Sequence, residues 1–155
     1  MNPILVFAHW AGFSVWLGAQ LTFMVFGPAA KRMSLESWAN TWITLAKVQR
    51  VLVAPAAVAA TVTGIALTMS LARAEAEMGT LRLMAMQTFG LLAGLVAIGV
   101  VTPLANRMAR LAAKSLEQGE QDPLAERVRS RLALSGTISG VFILVALFFG
   151  ALKPS

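Results

Sequence analysis

Long apolar stretches without charge dominate the sequence. Asp, Glu, Lys and Arg are absent from residues 1–30, 51–72, 83–106 and 132–152. A helix crosses the hydrocarbon core of a bilayer with roughly 20 mostly apolar residues, so each stretch is long enough for one crossing. The pattern therefore predicts an all-α polytopic membrane protein, with one transmembrane domain over 1–155 and the lipid bilayer as its surroundings.

Prolines and charged residues set the expected ends of the helices. We predict four transmembrane helices, at about 3–27, 47–72, 81–106 and 129–152. Pro55 lies inside the second of them. It is expected to kink that helix, because proline has no N–H to donate and its ring crowds the preceding turn.

An amphipathic segment at about 34–46 precedes the second membrane helix. Ser34 is a favoured N-cap residue, and tryptophan is favoured at the level of the lipid headgroups. The apolar residues that follow recur at helical spacing, namely Leu35, Trp38, Trp42 and Leu45. We predict an interfacial helix whose apolar face anchors it to the membrane, with a partner-binding face as the alternative.

The basic residues are distributed unevenly between the two ends of the predicted helices. The net charge is +6, and ten of the 13 Lys and Arg residues flank or lie within the first and third loops. The other three are Arg73, Arg82 and Lys153. Because cytoplasmic loops carry the excess of Lys and Arg, we predict that both termini lie outside. The basic balance thus indicates topology, and no nucleic-acid partner is expected.

Two segments of the chain resemble each other. Residues 28–33 and 103–108 both read Pro-x-Ala-x-Arg-Met, each at the cytoplasmic end of an outward-to-inward helix. This likeness predicts an internal repeat of two parallel hairpins, related by a pseudo-two-fold axis along the membrane normal.

Small residues four apart occur in every predicted membrane helix. Such residues let helix backbones approach closely in lipid, so we expect them to pack within one bundle or, alternatively, to form a homodimer face. The motifs are Ala8-x-x-x-Gly12, Ser14-x-x-x-Gly18, Ala60-x-x-x-Gly64, Gly90-x-x-x-Gly94 and Gly136-x-x-x-Gly140. Interhelical hydrogen bonds are expected from Gln20, Gln87, Ser135, Thr137 and Ser139.

His9 is the one ionisable side chain within the four charge-free stretches. Met84, Met86 and Gln87 of the third helix and Thr68 and Met69 of the second reach a similar depth. A neutral imidazole among thioethers can ligate haem iron or Cu(I). The alternative is a histidine that only hydrogen-bonds Thr68 or Gln87. The spans contain no carboxylate, so no catalytic residues are predicted, and no protein metal site is expected.

The whole chain resembles a family of small bacterial four-helix proteins, classed as predicted integral membrane proteins of unknown function. The family is similar in turn to the copper-resistance D-type membrane domain and to the J-type protoporphyrinogen oxidase. The resemblance rests on His9-Trp10, Trp16-Leu17-Gly18, Arg50, Pro55, Thr63-Gly64, Pro103-Leu104, Arg107, Arg110-Leu111 and Lys153-Pro154. It implies a multi-pass protein of the bacterial inner membrane with periplasmic termini.

The resemblance also implies a cofactor. In the J-type oxidase, a helix 1 histidine and a helix 3 lysine are associated with haem b. His9 matches the first, whereas Met86 or Gln87 stands near the second in place of lysine. His9, Met86 and Gln87 are therefore the candidate cofactor-binding residues, without the lysine associated with the oxidase.

Three functions follow as expectations. The first is a non-enzymatic accessory or assembly subunit of a membrane complex or homo-oligomer. The second is a redox membrane protein that binds b-type haem through His9. The third is a dimer through which a small molecule or metal ion permeates.

Overall fold

The computed structural model describes residues 2–73 and 81–151, without the side chains of 71–73 and 82. The protein is all-α, with no strand in those ranges. Its helices are α1 (Pro3–Ala29), α2 (Leu35–Val48), α3 (Ala54–Arg73), α4 (Leu81–Val96), α5 (Thr102–Gln118) and α6 (Pro123–Ala151). A 3₁₀ turn, Ala30–Arg32, follows α1, and π segments Gln49–Val53 and Ala97–Val101 join α2 to α3 and α4 to α5.

The four predicted spans are confirmed as helices. Within the described ranges, four continuous helices are long and apolar enough to cross a membrane, which is consistent with a multi-pass membrane protein. The predicted end of the fourth helix at 152 lies outside the described residues. So do the side chains of the three outer basic residues, Arg73, Arg82 and Lys153.

Two of these helices extend well beyond a membrane thickness. One runs from Leu35 to Arg73 and the other from Leu81 to Gln118, each through its π segment. At 1.5 Å per residue each is about 55–60 Å long, roughly twice the hydrocarbon core. The third helix was predicted to end near 106. It continues to Gln118 because the polar segment after Asn106 is amphipathic and packs one face against α2.

The segment predicted as an interfacial helix is helical, but its apolar face packs against protein. Ser34 caps it as predicted, with its hydroxyl accepting from the Ser37 N–H at 3.4 Å. However, α2 continues into α3 and its apolar face is covered by α5. Trp38 and Trp42 are only 4% and 6% exposed. They share a core with Met108 and its neighbours, because α5 offers a complementary apolar stripe.

Both π segments end two residues before a proline. The proline is Pro55 in one helix and Pro103 in the other. A proline ring clashes with the carbonyl of the preceding turn in a regular α-helix. Widening that turn separates the carbonyl from the ring, and π turns of this kind bend helices. The sequence predicted a kink at Pro55, but it did not predict the π segment that precedes this proline.

The membrane-spanning parts form a ring in which α1 neighbours α3 and α6, and α4 neighbours the same two helices. Each neighbouring pair is joined by a side-chain hydrogen bond, as expected for lipid-embedded helices. His9 bonds the Ala60 carbonyl, Gln20 the Gly136 carbonyl, Ser139 the Ala93 carbonyl, and Gln87 the Thr68 hydroxyl. The interhelical bonds predicted for Gln20, Gln87 and Ser139 are thus confirmed, whereas Ser135 and Thr137 make no side-chain hydrogen bond within the described residues.

The turn between α5 and α6 is fixed by Asp122. Its Oδ1 accepts from the Leu124 N–H at 2.9 Å, and its Oδ2 from Lys114 Nζ at 2.8 Å. The bond from Lys114, then that from Leu124, lowers the pKa of Asp122 below its ordinary value of 3.8. This cap explains why α6 begins at Pro123, upstream of the predicted start near 129, since proline suits the first turn of a helix.

Candidate functional site

The backbones of α1 and α3 pack closely at Gly12. A Cβ atom there would lie 2.9 Å from the Ala56 carbonyl oxygen and 3.1 Å from the Ala60 nitrogen. Only glycine therefore permits this separation, as the small-residue motifs predicted. His9 lies one turn earlier on the same face of α1, so this crossing brings its ring against α3.

The His9 imidazole is oriented by the backbone of α3. Its Nδ1 lies 2.8 Å from the Ala60 carbonyl oxygen, with the Thr63 hydroxyl at 3.4 Å. A carbonyl oxygen only accepts, so Nδ1 carries the proton and Nε2 carries the free lone pair. A Cβ at Gly64 would lie 3.0 Å from the ring Cε1, so the imidazole packs directly against this glycine.

Gln87 reaches the same helix from the other side of the bundle. Its Nε2 donates to the Thr68 hydroxyl at 2.9 Å, which in turn donates to the Gly64 carbonyl at 3.0 Å. His9 and Gln87 thus converge on neighbouring turns of α3. The amide N–H of Gln87 is engaged by a protein acceptor.

The methionine side chains predicted near His9 face other parts of the bundle. The Met86 sulfur faces α6, where a Cβ at Gly150 would lie 3.2 Å from it. Met69 and Met84 are exposed on the outside of the bundle. The helix that carries Met86 also stands diagonally opposite the helix that carries His9. The structure therefore shows one oriented histidine, and a cofactor bound by His9 with Met86 or Gln87 stays a prediction.

The glycine motifs divide into occupied and open positions. Gly12, Gly64, Gly94, Gly136 and Gly140 each meet a side chain or backbone of a neighbouring helix. Gly18 and Gly90, by contrast, have nothing within 4 Å of the positions of their Cβ atoms, and of these two glycines Gly18 is the exposed one.

On α1, Ser14, Gly18 and Thr22 are all exposed and lie four residues apart. We call these three residues the α1 ridge. The Thr22 hydroxyl donates to the Gly18 carbonyl at 2.9 Å. Ser14 makes no side-chain hydrogen bond within 2–73 and 81–151.

Sequence reasoning missed two features of the bundle. The Ala60 carbonyl is a backbone group that every residue type has, so the sequence gives no signal of its role in orienting His9. A cavity at the opposite end, lined by Gln20, Trp42 and Arg129 among others, draws on four helices that are distant in sequence. No protein-family model, curated protein or solved structure matches this chain.

Proposed function

We propose that the protein is a non-enzymatic accessory or assembly subunit of the bacterial inner membrane, acting in a homo-oligomer or a larger membrane complex. Both termini are periplasmic in this proposal, because Lys and Arg concentrate at the end of the bundle formed by α2, α5 and the start of α6. The observation that carries the proposal is the open α1 ridge.

The ridge supports association for a physical reason. In lipid there is no hydrophobic force between helices, so association depends on close backbone packing and on polar bonds. Most small-residue motifs already serve contacts inside this chain. Of the two small-residue motifs on α1, the one in the α1 ridge faces outward over two turns. Its Ser14 hydroxyl can pair with an acceptor on a second helix.

The chain contains no cysteine, so one introduced cysteine gives an unambiguous cross-linking test. Ser14→Cys changes one atom on the ridge, and Thr88→Cys places a matched thiol on the exposed surface of α4. In native membranes we expect oxidation to cross-link Ser14→Cys into a dimer, or into an adduct with a neighbouring subunit, and to leave Thr88→Cys monomeric. Equal behaviour of the two variants would contradict the proposal.

The orientation of His9 favours a second candidate function, a redox protein that binds b-type haem. Histidine ligands of metals usually donate the other ring N–H to a carbonyl or carboxylate, as His9 Nδ1 does to Ala60. Haem would take His9 Nε2 as one axial ligand. The test is the absorption spectrum of protein purified from haem-replete cells, where a Soret band lost in His9→Ala supports this function and colourless protein counts against it.

The proposed repeat is that of two parallel hairpins. It pairs α1 with α3 and α4 with α6, and these are the most extensively packed partners of the membrane-spanning region. The packing supports hairpins as units, and the shared Pro-x-Ala-x-Arg-Met pattern supports their relation.

A further inference from the structure

A cavity of about 230 Å³ lies between α1, α2, α5 and α6, at the end of the bundle where the basic residues collect. Apolar side chains form most of its wall, including Phe23, Met24, Leu45 and Leu132. An apolar cavity of ~150 Å³ in another protein stays dry and accepts an apolar guest. The walls of this cavity are also mostly apolar, so they favour a hydrocarbon group over water.

One polar group in the wall lacks a partner. Trp42 lines the cavity, and its Nε1 is buried with no hydrogen-bond acceptor among the described residues. The indole N–H can only donate. Burial of a donor without an acceptor costs free energy, so native structures rarely tolerate it. Because Trp42 lines the cavity, a turn of the indole that brings this N–H to the cavity would let an acceptor atom of a ligand satisfy it.

One cationic side chain, Arg129, lines the cavity. The Arg129 side chain is 12% exposed and lines the cavity, and its guanidinium bonds the Glu126 carboxylate. Lys31 lies 3.9 Å from the same carboxylate. Two cations thus share the Glu126 carboxylate, and Glu120 lies near them at the surface, so the cationic group that faces the cavity directly is the Arg129 guanidinium.

We propose that this cavity binds an anionic phospholipid, with part of an acyl chain between the four helices. Trp42 then donates to an oxygen of the lipid, and Arg129 and Lys31 attract its phosphate. Basic pockets between membrane helices on the cytoplasmic side favour anionic headgroups by the same electrostatics. The proposal does not depend on self-association, since all of its residues belong to one chain.

Gly27 offers a way to fill the cavity without disturbing its walls. It lines the cavity, and a Cβ at this position meets nothing within 4 Å. Gly27→Leu should occupy the space that the acyl chain needs. Gly99→Leu is the matched control, because Gly99 is also open and does not line the cavity. Trp42→Phe removes the N–H and keeps most of the ring.

The test is native mass spectrometry of the full chain after exchange into detergent with phosphatidylglycerol, phosphatidylcholine or oleate. We expect wild type and Gly99→Leu to retain phosphatidylglycerol in preference to the other two, and Gly27→Leu to lose it. Trp42→Phe should weaken retention about fivefold, the loss of one hydrogen bond of ~1 kcal/mol. Equal retention by wild type and Gly27→Leu would overturn the proposal, as would preferential retention of phosphatidylcholine or oleate.

Discussion

The side-chain amide of Gln49, in the first π segment, donates at 3.1 Å to the hydroxyl of Thr102, the residue that directly follows the second π segment. Thr102 in turn donates to the Ala97 carbonyl at 2.9 Å, within the second π segment. Gln49 is 1% exposed and its Oε1 has no partner among the described residues. The bond therefore links the two long helices at the point where each changes between α-helical and π-helical geometry.

Replacing Thr102 tests the energy of this link. Thr102→Val removes the acceptor of a buried amide, so we expect the free energy of unfolding to fall by about 1–2 kcal/mol. Gln49→Leu added to Thr102→Val should recover most of this loss, because no buried amide is then left unpaired. Denaturation in mixed detergent micelles measures both variants, and a double mutant that is simply additive would refute the coupling.

The close contact at Gly12 predicts a difference between two glycines of one helix. Gly12→Ala places a methyl group against the backbone of α3, and overpacking of this kind costs about 1–3 kcal/mol. Gly18→Ala meets open space and should leave stability unchanged or slightly raised. Thermal unfolding in detergent distinguishes them, and equal effects would show that the helices do not meet at Gly12.

Asp122 predicts a component of stability that depends on pH. Because its pKa is lowered in the folded protein, its contribution is complete above the ordinary value of 3.8 and is lost as the pH falls through the lower folded value. Asp122→Asn keeps an oxygen for the helix cap and removes the charge. We expect the melting temperature of the wild type to approach that of Asp122→Asn as the pH falls from about 5 to about 3.

The control for this titration is Glu117→Gln, which removes an exposed carboxylate of the same helix as Lys114. Its melting temperature should run parallel to that of the wild type over the same range. A constant gap between wild type and Asp122→Asn at every pH would show that the charge of Asp122 does not stabilise the turn.

The proposed orientation predicts the location of the C-terminus. An alkaline phosphatase fusion after Ser155 should be active, because that enzyme matures in the periplasm, and a fluorescent-protein fusion at the same place should be dark. The charge bias depends on Lys and Arg near the cytoplasmic ends of the helices. An inactive phosphatase fusion together with a bright fluorescent-protein fusion would contradict the proposed orientation.

Much of the fold could be predicted from the sequence, because lipid imposes simple requirements on composition. The four apolar stretches identified the four helices, and the absence of water in the core made bonds from Gln20, Gln87 and Ser139 a sound expectation. Ser34 announced the start of α2 because a capping hydroxyl is a local signal.

What the sequence did not reveal depends on which surfaces meet. Trp38 and Trp42 have the composition of a membrane-anchoring face, and only the packing of α5 shows that protein covers them. The haem-binding prediction grouped His9 with Met86 by depth along the helices. Depth does not determine rotation about the helix axis, so the sequence could not show that His9 faces α3 and Met86 faces α6.

The most direct test of the proposed assembly is the oligomeric state of the full chain in lipid nanodiscs, measured by native mass spectrometry. We expect the wild type to form a dimer, a higher oligomer or a complex with a stoichiometric partner. Gly18→Leu should release monomers because it fills the α1 ridge, while Gly99→Leu, an equal change at another open glycine, should behave as wild type. A monomeric wild type, or an assembly that Gly18→Leu leaves intact, would contradict the role of the α1 ridge.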